Sequence, residues 1–172
     1  MKGVFKLMKQ EPLRTDGCLE DVIKLYSNMV YKLAFSQTRD KNTADDIYQE
    51  VFLRYIKKEP KFETEEHRKA WLIRVTVNCC KKLWGSSWIK RTVALDESTM
   101  LKMFEIKEEN YLHCELIKLP MKYRAVIHLF YYEDLSVEDI SKVLNRKPST
   151  VRTQLTRARY KLKEILKEDY HV

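Results

Sequence analysis

Four polar side chains between residues 150 and 160 have the chemistry of a helix that reads duplex DNA. Arg152, Thr153, Thr156 and Arg157 lie near the start of a helical pattern whose opposite face is apolar. Arginine can donate two hydrogen bonds to the edge of a guanine, and small side chains let a helix approach the major groove closely. A solvated basic helix carries similar charges, but the tight turn predicted just before this segment favours a DNA-binding helix.

The elements that must hold these side chains can be followed along the chain. Ser136, three residues before an aspartate, predicts the capped start of a helix, and Asn145 suits its end. Pro148 cannot continue that helix, whereas Ser149 or Thr150 can cap the next one. The second helix has an apolar face for packing, made of Val151, Leu155, Ala158, Leu162 and Leu166. The segment is therefore predicted to be a helix-turn-helix.

A second cluster combines an amide, cations and aromatic rings within one upstream helix. It consists of Asn78, Lys81, Lys82, Trp84 and Trp88. Unpaired bases stack on aromatic rings while lysines follow the phosphates, and an amide can both donate to a base edge and accept from it. We therefore expect this cluster to bind single-stranded nucleic acid.

A third set of side chains is acidic and lies on the polar face of an earlier helix. Thr43, with Asp46 three residues on, predicts the start of this helix. The helix dipole explains an acid in the first turn, but Gln49 and Glu50 lie further in. Because negative charge repels phosphate, we expect the face of Asp46, Gln49 and Glu50 to bind a protein rather than DNA.

Composition restricts the fold and the class of protein. The 172-residue chain has only three glycines and four prolines, and its apolar residues recur at helical spacing, so the predicted fold is all-α. Its formal net charge of +8 favours a polyanionic partner. The cysteines and histidines show no metal-ligand spacing and no catalytic motif is found, so no metal, cofactor or enzymatic activity is expected. Without a membrane span or signal peptide in the pattern, we expect a cytoplasmic protein.

The apolar pattern divides the chain into two small helical domains joined by a flexible acidic linker. Residues 1–17 form an N-terminal extension, and residues 18–91, here called the first block, hold the acidic face and the aromatic cluster. Residues 92–109, the connector, are acidic against a basic remainder. Residues 110–172, the second block, contain the helix-turn-helix. The apolar residues of the connector suit docking on a partner, and a solvated tether fits the sequence equally well.

Three segments resemble, in order, parts of the extracytoplasmic-function sigma factors of the RNA polymerase sigma-70 family. ADDIYQEVFLRYIKK is similar to a helix of the family's second region, and KAWLIRVTVNCCKKLW to the helix that follows it. LPMKYRAVIHLFYYEDLSVEDISKVLNRKPSTVRTQLTRARYKL resembles the fourth region over almost all of its length. The resemblance covers residues 19–166 and is weak in the middle.

The resemblance implies a promoter-specificity subunit that is not itself an enzyme. In the family, the first domain binds core RNA polymerase and the melted −10 promoter element, and the second domain reads the −35 element as duplex DNA. Asp46, Gln49 and Glu50 match the polymerase-facing helix, and Asn78 matches an asparagine near the −10 surface. The positions that match −35 readers are Arg152, Thr153, Thr156 and Arg157. An anti-sigma factor is implied as a further partner.

The chain departs from the family pattern in its N-terminal extension, in the small Thr156, and in Cys79 and Cys80 after the asparagine. These departures affect the expected promoter sequence rather than the expected role. One alternative is an ordinary helix-turn-helix regulator, which would bind duplex DNA without core polymerase. A second alternative is a DNA enzyme such as a recombinase. It would need a nucleophilic Ser or Tyr beside clustered arginines in the first block, and the sequence shows no such cluster.

Overall fold

The computed structural model describes residues 18–85, 115–116 and 118–169. Within them the chain forms helices and no strand, which confirms the all-α prediction. The helices are α1 (Leu19–Thr38), α2 (Lys41–Lys58), α3 (Glu65–Gly85), α4 (Met121–Tyr131), α5 (Val137–Leu144) and α6 (Pro148–Asp169). The N-terminal extension and the connector lie outside the described residues, so the domain boundaries stay predictions.

Asp40 builds the turn between α1 and α2. Arg39 ends α1 in the left-handed region, with φ of 61°, and the backbone of Asp40 is extended. The Asp40 carboxylate accepts a hydrogen bond from the backbone N–H of Thr43 at 2.7 Å. The expected cap at Thr43 is therefore wrong, because the chain already turns into the helix three residues earlier and Thr43 lies in the first turn.

The core of the first block lies between α1, α2 and α3. Their apolar stripes meet in a cluster of buried residues: Val22, Tyr26, Val30, Ala34, Phe35, Ala44, Ile47, Val51, Phe52, Leu72, Cys79 and Cys80. Burial raises the pKa of the Cys79 thiol, and it raises that of Cys80 to about 12. Thiols that stay protonated are poor nucleophiles, so these two cysteines pack as small apolar side chains.

The helix-turn-helix of the second block forms as predicted, apart from the start of its second helix. The Ser136 hydroxyl caps α5 by accepting from the N–H three residues on, and Asn145 ends the helix with φ of 52°. The helix α6 begins at Pro148, so Ser149 and Thr150 lie inside its first turn instead of preceding it. Proline suits this first position because the N–H that it lacks has no partner there. The predicted core residues Val151, Leu155 and Ala158 are buried.

The two blocks pack against each other, a contact that the sequence did not predict. Leu33, Ile73 and Val77 of the first block join the hydrophobic cluster formed by residues of the second. At the edge of this contact, the Nζ atom of Lys69 lies 2.9 Å from the Oε2 atom of Glu133. The blocks therefore share part of their core in this arrangement.

Two arginines cross between the blocks and form what we call the arginine seam. Arg124 donates to the carbonyl oxygen of Gln37 at 3.1 Å, and Arg39 donates to the carbonyl oxygen of Leu119 at 3.3 Å. Gln37 lies in the last turn of α1, where carbonyls have no partner inside the helix, so the second block completes this helix end. Burial lowers the pKa of Arg124 to about 9, and the charge of Arg39 acts in the same direction.

Candidate nucleic-acid and polymerase interfaces

The polar face of α6 presents the four predicted DNA-reading residues to solvent. Arg152, Thr153, Thr156 and Arg157 are all exposed, while the opposite face of the helix packs into the core. The face offers two guanidinium groups and two hydroxyls in the first half of the helix. This combination can bind base edges in a major groove.

The turn before α6 holds that face in place. The backbone N–H of Arg146 donates to the carbonyl oxygen of Ser141 at 2.9 Å, which closes the end of α5. The Nη1 atom of Arg146 donates to the Oε1 atom of Gln154 at 2.8 Å, and burial lowers the pKa of this arginine. Since Gln154 belongs to α6, the bond ties the DNA-reading helix to the turn.

The two arginines of α6 have different surroundings. The Nη2 atom of Arg152 lies 2.7 Å from the Oε1 atom of Glu138 on α5. Arg157 lines a shallow groove with Lys122 of α4 and with the hydroxyl-bearing residues Ser149, Thr150 and Thr153. Two cations and several hydroxyls beside one groove suit a backbone phosphate. The first arginine is therefore paired within the protein, and the second lies in a groove beside another cation.

The polar face of α3 carries Asn78 next to the second block. Arg74, Asn78 and Lys81 are exposed and share one side of the helix, while the residues on either side of Asn78, Val77 and Cys79, are buried. The Nη2 atom of Arg74 donates to the carbonyl oxygen of Lys142 on α5 at 2.9 Å, so this face borders the second block.

Two lysines of the predicted cluster lie near Asn78 on α3. Lys82 is exposed. Burial lowers the pKa of Lys81, and the positive charge of Arg146 adds to this effect. Trp88 and the side chain of Trp84 lie outside the described residues, so the structure brings together the amide and the two lysines of the predicted cluster without testing its aromatic part.

The exposed face of α2 is acidic in its first half and carries two aliphatic side chains further on, before a last turn that is basic at Lys57 and Lys58. Asp46, Gln49 and Glu50 are exposed as predicted, and the Oε1 atom of Glu50 lies 2.6 Å from the Nε atom of Arg54. Leu53 and Ile56 are exposed on the following turns of α2, by 46% and 45%. A pair of half-exposed aliphatic side chains beside charged groups is the composition of a protein-binding surface.

Comparison with known proteins assigns the chain to a family. The family model for sigma-70 region 2 matches residues 22–89, and the model for sigma-70 region 4 matches residues 109–162. RNA polymerase sigma factor SigV of Bacillus subtilis (strain 168) is 30% identical over 160 residues, which cover 90% of this chain and 95% of SigV. The chain belongs to the sigma-70 family. The ECF RNA polymerase sigma factor SigW of the same organism is 26% identical over 96% of this chain and 97% of its own length.

Solved structures share the fold of this sigma factor. The chain of CnrH, solved in complex with the cytosolic domain of CnrY, matches with a TM-score of 0.66 and 21% identity over 88% of each chain. The sigma factor RpoE of Bartonella quintana, solved in complex with the anti-sigma factor NepR, matches with a TM-score of 0.65 and 22% identity over 86% of this chain and 96% of its own. The helical architecture is therefore common to all three.

As an extracytoplasmic-function sigma factor, the protein directs RNA polymerase to promoters for the initiation of transcription. The predicted family and function are thus confirmed, and the rival interpretations as an ordinary regulator or a DNA enzyme are set aside. Among the described residues, no group of three His, Cys, Asp or Glu side chains could hold a metal ion. No helix within that part of the chain is long and apolar enough to cross a membrane.

Several residues of the sigma factor's surfaces were missed in the sequence. Leu53 and Ile56 had a signal, because they are apolar residues that fall off the buried stripe of α2. No sequence signal marks Lys122 or Glu138, because each comes close to α6 only when α4 and α5 pack against that helix. A charged residue whose function depends on a distant helix has no local pattern.

Proposed function

We propose that the first block of this sigma factor binds core RNA polymerase through the exposed face of α2. Asp46, Gln49 and Glu50 supply the polar part of the contact, and Leu53 and Ile56 supply its apolar part. An apolar centre beside polar groups is how protein interfaces are built. The exposure of these acids supports the proposal, because on a chain of net charge +8 they have no use against DNA.

We propose that the same block binds the melted −10 element through α3. Asn78 contacts an unstacked base, Lys81 and Lys82 follow the phosphates, and Trp84 and Trp88 offer rings for stacking. The exposure of Asn78 between buried neighbours supports this role, because nothing in the core requires an amide there.

The second block, we propose, reads the −35 element as duplex DNA through α6. Arg152, Thr153, Thr156 and Arg157 contact base edges, and Lys122 contacts a backbone phosphate at the edge of the groove. The groove beside Arg157 supports the assignment of Lys122, because a phosphate there meets two cations.

The remaining features of the proposal concern organisation and partners. The two domains span residues 18–91 and 110–172, and the connector of residues 92–109 lets them reach separate promoter elements. The protein works in the cytoplasm and catalyses no reaction of its own. Because the similar RpoE chain was solved with an anti-sigma factor, we propose that an anti-sigma factor also binds this chain.

The proposal rests on three sets of exposed side chains: acids on α2, an amide on α3 and arginines on α6. Run-off transcription with purified core RNA polymerase on genomic promoter fragments tests it. We expect transcripts with defined start points only when the protein is present. The double variant Arg152→Ala, Arg157→Ala should keep co-eluting with core polymerase while losing selectivity for the −35 sequence.

A control variant tests whether the loss of selectivity is specific to the two arginines of α6. Glu63→Gln removes one charge at an exposed residue of the loop before α3, outside the three proposed surfaces, and should leave both selectivity and co-elution unchanged. If the double arginine variant selects −35 sequences as well as the unaltered protein does, α6 is not the reading helix. If the protein binds promoter duplex tightly alone and never co-elutes with core polymerase, the proposed α2 interface is wrong.

A further inference from the structure

One carboxylate stands beside the DNA-reading face. The Oε1 atom of Glu138 lies 2.7 Å from the Nη2 atom of Arg152, and both side chains are more than half exposed. The backbone under Glu138 is fixed, because the Ser136 hydroxyl caps this helix start and the Ser141 hydroxyl donates to the Glu138 carbonyl oxygen at 2.9 Å. The carboxylate is thus held by one helix of the motif and points to a side chain of the other.

Neither stability nor affinity accounts for this pair. Ion pairs between exposed side chains contribute little to stability. A negative charge at a DNA-binding surface also repels phosphate and lowers affinity for any sequence. The first turn of α5 explains why an acid is favourable at Glu138, because the helix dipole attracts it there. It does not explain why that acid meets an arginine of the next helix.

The other arginine of the face provides an internal comparison. Arg157 has no hydrogen bond or ion pair with another residue in the described part of the chain, and it shares its groove with the cation Lys122. A guanidinium in such surroundings can turn toward either a base or a phosphate. Arg152, by contrast, has one terminal nitrogen held by a carboxylate while its other donors stay available.

We propose that Glu138 is a positioning residue that holds Arg152 toward a base of the −35 element. The inference rests on the proposed role of Arg152 in reading that element. The carboxylate restricts the rotamers of the arginine and, because it repels phosphate, disfavours a swing of Arg152 to the DNA backbone. An arginine held in this way gives sequence discrimination, whereas an unrestrained one also binds phosphates of any sequence.

A double-mutant cycle on the full chain in complex with core polymerase tests the proposal. Binding is measured on one promoter and on every single-base change of its −35 element, for the unaltered protein, Glu138→Gln, Arg152→Ala and the double variant. We expect Glu138→Gln to lower discrimination roughly two- to fivefold, the range of an exposed ion pair, at the base position that Arg152→Ala also affects. In the Arg152→Ala background, Glu138→Gln should change discrimination no further.

A matched control removes a similar charge without touching Arg152. Glu164 is an acid of α6 with a side chain 45% exposed, and it pairs with Lys167 three residues on. Glu164→Gln therefore changes the net charge of the second block by the same amount as Glu138→Gln does. It should alter affinity for all sequences equally and leave the discrimination unchanged. The thermal midpoint of each variant shows that the fold is intact.

The outcomes separate this inference from the proposed function. If Arg152→Ala changes base preference but Glu138→Gln shifts all sequences alike, Glu138 acts only as a general charge and the inference is overturned while the proposed function stands. If the effect of Glu138→Gln persists in the Arg152→Ala background, Glu138 contacts a base itself and is not a positioning residue. If Arg152→Ala leaves base preference unchanged, both the role of Arg152 and the inference fall.

Discussion

Reversing the charge of Glu50 should separate polymerase binding from folding. Glu50 lies on the exposed face of α2, with its side chain 47% exposed and its carboxylate paired with Arg54. The opposite face of the helix, with Ile47 and Val51, is buried and is not touched by the change. Glu50→Lys should therefore leave α2 folded while presenting a cation where the proposed polymerase contact needs an anion.

The two effects differ greatly in size. Losing an exposed helical pair costs about 0.3–0.5 kcal/mol, and the new like-charge pair with Arg54 costs about as much again. The sum, about 1 kcal/mol, lowers the thermal midpoint of a chain of this size by roughly 2–4 °C. Removing one member of a close charge pair across an interface costs about 2–5 kcal/mol, which weakens binding by roughly 30-fold to several thousand-fold.

Co-elution with core polymerase and a thermal melt report these two effects side by side. Glu50→Gln removes the charge without reversing it and should give an intermediate loss of binding. Glu63→Lys makes the same change of charge at an exposed residue of the loop before α3, and it should bind core polymerase normally. If Glu50→Lys co-elutes as well as Glu63→Lys does, Glu50 does not contact core polymerase. If Glu50→Lys melts more than about 10 °C early, well beyond the expected 2–4 °C, Glu50 is needed for the fold.

The other surfaces make further predictions. Arg157→Ala should weaken transcription from a −35-dependent promoter and reduce discrimination at one base by about 1–3 kcal/mol, measured on a set of −35 variants. Asn78→Ala in the complex with core polymerase should change base preference on −10 single-strand oligonucleotides while sparing duplex −35 binding; an unaltered protein without base preference in that assay contradicts the role. Replacing residues 92–109 by Gly and Ser at equal length should impair initiation, and full activity would leave only spacing as the connector's role. Glu133→Gln should loosen the packing of the two blocks, because Lys69 loses its charged partner, and an unchanged radius of gyration by X-ray scattering would contradict this.

Helix-capping preferences predicted much of the fold, and they were wrong where two nearby residues could each cap the same helix. Ser136 and Asn145 begin and end α5 as their types and spacing indicate. At the start of α2, both Asp40 and Thr43 are good caps, and the pattern of apolar residues begins after each of them. Asp40 is the cap because Arg39 adopts a left-handed backbone conformation and ends α1 just before it. Which of the two residues caps α2 depends on where α1 ends, and a cap motif gives no information about the preceding helix.

The candidate surfaces were predictable in so far as they follow helical periodicity. Once an apolar stripe is buried, the residues off that stripe must be exposed, so the solvent-facing positions of Asn78 and Arg157 follow from their neighbours. What periodicity cannot predict is which exposed groups meet across helices. The hydrogen bond that Arg152 donates to Glu138 joins residues 14 apart, and it forms only because α5 and α6 meet at the turn.

The polar part of the contact between the two blocks escaped prediction because it is made by buried polar residues. Apolar periodicity predicts cores, but Gln37 and Arg124 are polar residues that a sequence pattern assigns to the surface, and both are buried. Arg124 donates to the backbone carbonyl of Gln37, and the side-chain amide of Gln37 donates to the Ser36 hydroxyl. The lowered pKa of Arg124 reflects the cost of removing its charge from water. Contacts of this composition resemble interfaces between domains that move relative to one another. If the two blocks separate when each contacts its own promoter element, as proposed, both the arginine seam and the shared apolar residues Leu33, Ile73 and Val77 must become exposed.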